Sequence, residues 1–446
     1  MNRCIALFVG LLVATTAAAQ TTAFINVNVV PMTSEMLIAQ QTVVVSNGVI
    51  TALGSVDETP IPKGAKVIDG TDRFLMPGLA EMHAHVPVAS SDNLDRNFSL
   101  YVANGVTTIR GMLGQPSHIG LREALDNGTV FGPHLVTSGP SFNGRSVAGA
   151  NQARQMVRDQ HRTGYDFVKI HPGLTAEEFE AIAETANELG MPFAGHVPVA
   201  VGVARAQQLG MATIDHLDGY FAALLPVGSD GFGGYGGFFD VMLAAQLDAG
   251  RIPEIARATA DSGTWNVPTE VLVEVRINAT PIAELRSQPG MRYMPKDTVE
   301  RWVAAKEALL AERDFNPEVA ALAIELRRRL ILELHKAGAG LLLGADSPQV
   351  FNVPGFSLHQ ELAALVAAGL TPYEALRTGT VAVAEFLDSN AGAVAVGRDA
   401  DLVLLNANPL EDIGHAHRIH GVMLRGTWYS ADSLAKRLAR YVDHED

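Results

Sequence analysis

The chain is nearly without cysteine. Cys4 is the only one in 446 residues, and it lies in an apolar leader. The rest of the chain can therefore form neither a disulfide nor a thiol nucleophile. Positive charge is also scarce: 33 Lys and Arg stand against 48 Asp and Glu, a formal charge of −15. Nucleic acid and anionic membrane surfaces both require basic patches, so this balance argues against either as a partner. Beyond the leader no apolar run is long enough to cross a bilayer. There is no internal repeat and no low-complexity tail. What remains, 48% apolar and 18% charged residues, is an ordinary globular composition with length for more than one folding unit.

The leader itself is patterned. MNR supplies a short positive start, CIALFVGLLVATTA an apolar core, and AAAQ a small-residue exit. This predicts a secretory signal peptide over residues 1–19, cleaved near Ala19, and hence a periplasmic or secreted protein. An uncleaved anchor is the alternative. Cys4 sits too early to be a typical lipoprotein cysteine.

After the leader, alternating segments meet at an Asn47-Gly48 turn, the grammar of a hairpin. The C-terminus returns to that style in DADLVLLNA and GVMLRGTWYS. The two flanks, 20–74 and 390–446, are expected to build one small β-sandwich domain. Between them, 75–389, short apolar segments alternate with helical ones. The segments are LMPGLAEMHAH, GVTTIRGM, HLVTSGP, DFVKIH, PFAGHV, TIDHLDG, TWNVPTEV and LLLGADSP. Eight such units predict an α/β fold, a (β/α)8 TIM barrel. TAEEFEAIAETANELG predicts a helix capped by Thr175 and stopped at Gly190. Surplus residues at 219–330, including the glycine-rich GSDGFGGYGGFF, form an insertion that is either a lid over the barrel mouth or a plain surface excursion.

Chemistry-bearing residues fall at the ends of these segments. In DFVKIH the strand period sets Phe167, Lys169 and His171 on one face, with Val168 and Ile170 packed outward. Lys169 therefore turns inward near the end where sites of this fold lie. His83 and His85 end the first strand, His196 the fifth, His216 the sixth and Asp346 the eighth. Singly each has a bland reading: a satisfied core imidazole, a helix cap, or a lysine paired with Asp346. His-x-His alone is weak, since HAH recurs at His415–His417 without strand context, where it reads as a surface turn. Four imidazoles, a carboxylate and a lysine on one rim are a stronger pattern.

With MPGLAEMHAHV, GVTTIRG, VKIH, GHVP, IDHLDG, GADSP and the closing GAVAVGRDADLVLLNANPLEDI, the chain resembles the amidohydrolase superfamily of metal-dependent hydrolases. Its imidazolonepropionase-like and prolidase-like members are the nearest in motif. The resemblance implies two divalent metals, zinc being the expected one, bridged by Lys169 as N6-carboxylysine. It assigns His83, His85 and Asp346 to one metal and His196 and His216 to the other. It further implies hydrolysis of an amide, peptide-like or N-acyl amino acid bond by a hydroxide bridging the metals, with Asp346 as general base and acid. A mononuclear cyclic-amide hydrolase or deaminase, or a lactonase or esterase, is the alternative within the superfamily. The fifth strand reads HVPV, without the glutamate of the deaminases. An inactive binding protein on the same scaffold would lack a ligand position, and none is missing.

A small-molecule substrate with a carboxylate needs a cation or donor, for which Arg110, His134, Arg145, His171 and Tyr220 are candidates. Each has an equally good structural role in a salt bridge or hydrogen bond. Two departures from relatives alter the substrate wall: Arg110 is followed by Gly111 rather than aspartate, and SGPSFNGRSVAG carries no histidine. Homo-oligomeric assembly is expected only by analogy.

Overall fold

The computed structural model describes residues 21–89, 91–226 and 238–442. The expected leader at 1–19 lies outside the described residues, as does most of the glycine-rich stretch. In chain order the strands are β1 (Thr21–Val29), β2 (Ile38–Ser46), β3 (Val49–Ser55), β4 (Lys66–Asp69) and β5 (Phe74–Pro77). Then come β6 (Leu79–Ala84), β7 (Val106–Gly111), β8 (His134–Thr137), β9 (Val168–Ile170), β10 (Phe193–Gly195), β11 (Thr213–Asp215) and β12 (Trp265–Val267). The last are β13 (Leu402–Leu405), β14 (Ile419–Leu424) and β15 (Thr427–Ser430).

Both chain flanks enter one mixed eight-stranded sheet, ordered β15-β14-β13-β5-β1-β2-β3 with β4 beside β1. The β2–β3 turn is the Asn47-Gly48 pair, with φ of 53° and 78°. Positive φ at both central residues matches the right-handed twist of the flanking strands. Phe24, Val43, Ile50, Leu75, Leu402 and Met423 form a core under this sheet. β5 begins at the expected boundary and continues to Pro77, where it pairs with β13.

The middle of the chain forms two parallel sheets, β6-β7-β8 and β9-β10-β11-β12. Single bridges join them: Ser138 with Phe167, Asn266 with Leu341, and Ala84 with Ser347. The eighth expected strand, LLLGADSP, is thus not a regular strand. It is an extended segment held by hydrogen bonds such as Met82 N to Leu343 O and His85 N to Ser347 O, both 2.9 Å. Asp346 at φ 58° breaks its pleat, and Pro348 has no N–H for a ladder.

Helices follow the strands as the capping residues dictate. Thr175 and Glu178 form a reciprocal capping box on helix Ala176–Glu188. The expected insertion at 219–330 contains β12 itself, together with the helices Ile252–Ser262 and Glu270–Ile277. The excess over simple strand–helix units is therefore smaller, chiefly the 3-10 segment Phe238–Gln246 and the helices Ile282–Arg286 and Lys296–Leu310. Among the described residues no helix is long and apolar enough to cross a membrane.

Candidate metal centre

β6 delivers Glu81, His83 and His85 on one face by its two-residue period. The buried Glu81 carboxylate accepts from His83 N at 3.0 Å and Ala345 N at 2.8 Å. It therefore fastens the end of β6 to the 341–347 segment and fixes His83 relative to Asp346. Burial pushes the Glu81 carboxyl up to about 8, although both backbone donors oppose this.

Asp346 Oδ1 lies 2.9 Å from His85 Nε2 and 3.8 Å from His83 Nε2, and its Oδ2 is 3.9 Å from His216 Nδ1. Burial disfavours the charged carboxylate. His85, His83 and Lys169 outweigh it and hold the Asp346 carboxyl well below the usual range. The ligand atoms of His83, His85 and Asp346 all fall within 4.8 Å of one another.

β11 carries two ligand-type residues of opposite origin. Thr213 and Asp215 point inward by alternation, with Thr213 Oγ1 donating to Asp215 Oδ1 at 2.7 Å. His216 would then face outward, but it adopts φ 64° and Leu217 φ 54°. That left-handed turn, costly for residues with a Cβ, swings the imidazole back to the others. Its ring centroid is 4.4 Å from His83 and 4.8 Å from His196. Buried Arg327 holds the turn, donating to His216 O at 2.9 Å, Pro268 O at 3.1 Å and Glu270 Oε2 at 2.8 Å. Thr269 Oγ1 lies 2.8 Å from His216 Nδ1. His196 Nδ1 is 3.0 Å from Asp218 Oδ2, which leaves its Nε2 as the nitrogen available to a ligand.

Lys169 is fully buried. Its Nζ lies 3.8 Å from Asp215 Oδ2 and has no hydrogen-bond partner among the described residues. Burial lowers its ammonium to about 8. Burial, followed by Lys169 for His83 and by neighbouring imidazoles for His216, keeps both imidazoles in the neutral, ligating form. His171 falls to about 2, again by burial and then Lys169. His83 Nδ1, Asp215 Oδ2 and Asp346 Oδ1 are likewise buried without hydrogen bonds. His83 Nδ1 and Asp215 Oδ2 are only 3.0 Å apart, yet not aligned for one. Buried polar atoms left this way are costly unless a further charged group completes them. Neutral imidazoles and the ionised Asp346 carboxylate at this spacing suit a divalent cation.

A cavity of about 150 Å³ opens on these groups, walled also by Phe238, Phe239, Leu272 and Arg276. The Phe239 ring stacks on His216 at 4.7 Å and on His196 at 6.0 Å. Of the substrate-binding candidates, His171 lines this cavity and stacks on His196 at 5.1 Å. Arg145 lies with His171 around a shallow depression next to it. Arg110, His134 and Tyr220 are elsewhere. Arg110 is buried against Met82 O and Asp215. His134 opens β8 at the opposite end and pairs with Asp401 at 2.9 Å. The Tyr220 hydroxyl donates to Asn266 Oδ1 at 2.8 Å inside the core. The second HAH sits in a 3-10 turn, Ile413–His417, with His417 exposed.

Glu81, Asp215, Asp218 and Arg327 were not singled out by the sequence. Two of them carried a signal in the strand period: Glu81 shares the face of His83 and His85, and Asp215 that of Thr213.

The described chain resembles several known proteins over most of its length. The ochratoxinase of Aspergillus niger is 23% identical, covering 83% of this chain and 78% of that one. The structure of bottromycin amidohydrolase superposes with a TM-score of 0.71 at 24% identity, covering 94% of this chain and 90% of its own. A Xaa-Pro dipeptidase with methionine bound in its active site superposes at 0.65 and 18% identity, over 92% and 100%. At such identities these superpositions establish the fold. The sequence model of the Amidohydrolase family matches residues 74–429, from β5 to β15, and on that match the chain belongs to the amidohydrolase family.

Proposed function

We propose that this hydrolase binds two divalent metal ions, zinc being the expected one, at the end of a closed (β/α)8 barrel. The bridges from Ser138 to Phe167, Asn266 to Leu341 and Ala84 to Ser347 support closure of the two parallel sheets around that site. His83, His85 and Asp346 hold one ion, His196 and His216 the other. Lys169 joins both as a carbamate. Its neutral amine adds to CO2, a C–N bond forms and one proton leaves, so a cationic side chain becomes an anionic oxygen ligand. The observation that carries this reading is the Lys169 Nζ, buried and without a hydrogen bond, 3.8 Å from Asp215. An ammonium there would repel any cation. A carbamate attracts two.

When bound, such ions polarise a scissile carbonyl and make water nucleophilic near neutral pH. The protein's own part is proton movement and exclusion of water. Asp346 takes the proton of the attacking water on a carboxylate oxygen and passes it to the departing amine. Phe239 covers the imidazoles and keeps bulk water out. Amide cleavage is supported by the names of the similar proteins, an ochratoxinase, a dipeptidase and an amidohydrolase; peptide-like and N-acyl amino acid bonds are the substrates proposed. Export after cleavage of the leader near Ala19 completes the proposal.

A second reading has one ion only, held by the compact His83, His85 and Asp346 group, as in a mononuclear cyclic-amide hydrolase. Metal analysis of protein grown with zinc and 13C-bicarbonate separates them. Two ions per chain and a carbamate carbon resonance lost in Lys169→Ala are expected. One ion and no such resonance in wild type would establish the second reading instead.

A further inference from the structure

A larger cavity, of about 680 Å³, lies at the opposite end of the parallel strands. Its wall comes from residues near strand starts, among them Ala80, Thr108 and Trp265, and from the helix Val381–Leu387, which closes it with Val383, Ala384 and Phe386. Its size is that of a small-molecule site. It is mostly apolar; of its three acids, Asp166 and Asp401 are ion-paired and Asp399 accepts from Asn390 Nδ2 at 3.2 Å. Asp166 is held by Arg122 at 2.7 Å, and Asp401 by His134 at 2.9 Å.

Arg110 is paired as well, with Asp215 at 3.3 Å, but keeps one donor to spare. Its side chain is 2% exposed and lines this cavity rather than the metal centre. Nε donates to Met82 O at 2.7 Å, and Nη2 to Thr213 Oγ1 at 3.2 Å and Asp215 Oδ1 at 3.3 Å. Among the described residues Nη1 makes no hydrogen bond. The guanidinium carbon lies 5.5 Å from the Phe167 ring and 5.6 Å from the Phe386 ring. Trp265 meets Phe386 edge-on at 5.6 Å. A buried cation with an uncommitted donor, at the end of an apolar chamber faced with aromatic rings, matches a flat apolar body carrying one carboxylate.

We propose that this cavity is a binding site for a small aromatic monocarboxylate, its carboxylate on Arg110 Nη1 and its ring against Phe386 and Trp265. The site is separate from the metal centre, and Arg110 and Asp215 form the partition. Asp215 Oδ2 on the far side of that partition is 3.0 Å from His83 Nδ1. The proposal does not depend on the number or identity of metals.

Calorimetric titration with 2-naphthoate tests it. One naphthoate per chain is expected, and binding should persist when a chelator has stripped the metal. Ala384→Phe and Ala391→Phe each fill the chamber from its outer wall. Each should weaken binding at least about tenfold with metal content and melting temperature as in wild type. Two positions are used so that a folding defect in one leaves the other decisive. Binding that disappears with the metal overturns the proposal, because it places the carboxylate at the metal centre. No binding in the millimolar range, or wild-type affinity in both filled variants, overturns it as well.

Discussion

Gly195 and Lys169 are fitted to each other. A Cβ on Gly195 would lie 2.9 Å from both Cδ and Nζ of Lys169 and 2.5 Å from Ile170 O, and Gly195 has φ 125°. The glycine thus creates the channel through which the lysine reaches the imidazoles. Gly195→Ala should displace Lys169 and lower metal content. It should also cost about 1–3 kcal/mol of stability from backbone strain, read by urea denaturation. Full metal and unchanged stability would mean that the two residues are not coupled.

Lys169 also sets a pH dependence. Burial lowers its ammonium from 10.5 to about 8, so the neutral amine, which alone reacts with CO2, grows as pH rises towards 8 and is dominant above it. Metal-stripped protein given zinc at a constant concentration of dissolved CO2 should therefore regain metal faster as pH increases from 6 to about 8, with the rise slackening above it. A rate that falls over this interval contradicts the assignment.

Arg327 is a positioning residue for His216. It binds the carbonyl of a residue in a left-handed turn and is paired with Glu270, both groups being buried. Arg327→Ala strands the Glu270 carboxylate and should destabilise the fold by roughly 3–5 kcal/mol. In cobalt-substituted protein the visible spectrum should change, with partial recovery on adding guanidinium at low concentration. A spectrum identical to wild type would leave Arg327 with a purely structural part.

Phe239 governs space. The cavity at the metal centre is about 150 Å³, smaller than the roughly 300 Å³ at which small-molecule pockets begin. Phe239→Ala should raise kcat/KM for bulky N-acyl groups relative to small ones by about tenfold, the order expected when a pocket gains room for a large side chain. An unchanged ratio would show that the ring does not bound the substrate.

Much of this centre is legible by strand period alone. Lys169 is inward because it sits in the short parallel strand β9; His83 and His85 stand at and just beyond the end of β6, whose pairing with β7 shifts register twice. His216 and Asp346 are reached by the chemistry of their types and not by period, because both lie at positive φ where alternation ends. Arg110 and His134 were misplaced for a related reason. Strand propensity gives the face of a residue but not its depth along the axis, and His134 stands at the first residue of β8 while Arg110 turns back towards Asp215. The roles of Glu81 and Arg327 could not be found, although the strand period gives the face of Glu81. A buried charge declares itself only through its partners, here Ala345 and His216, which are 264 and 111 positions away.

The pairing of β5 with β13 sets Pro77 beside Leu402, six positions before His83. Because that contact spans most of the polypeptide, β5, which leads directly into the strand carrying His83, gains this neighbour only once the final segment has been synthesised, while β6 itself pairs with the nearby β7. Closure of the β5–β13 seam is therefore a late, long-range event during folding, and damage near the C-terminus should be felt at the entry to β6 before it reaches β7.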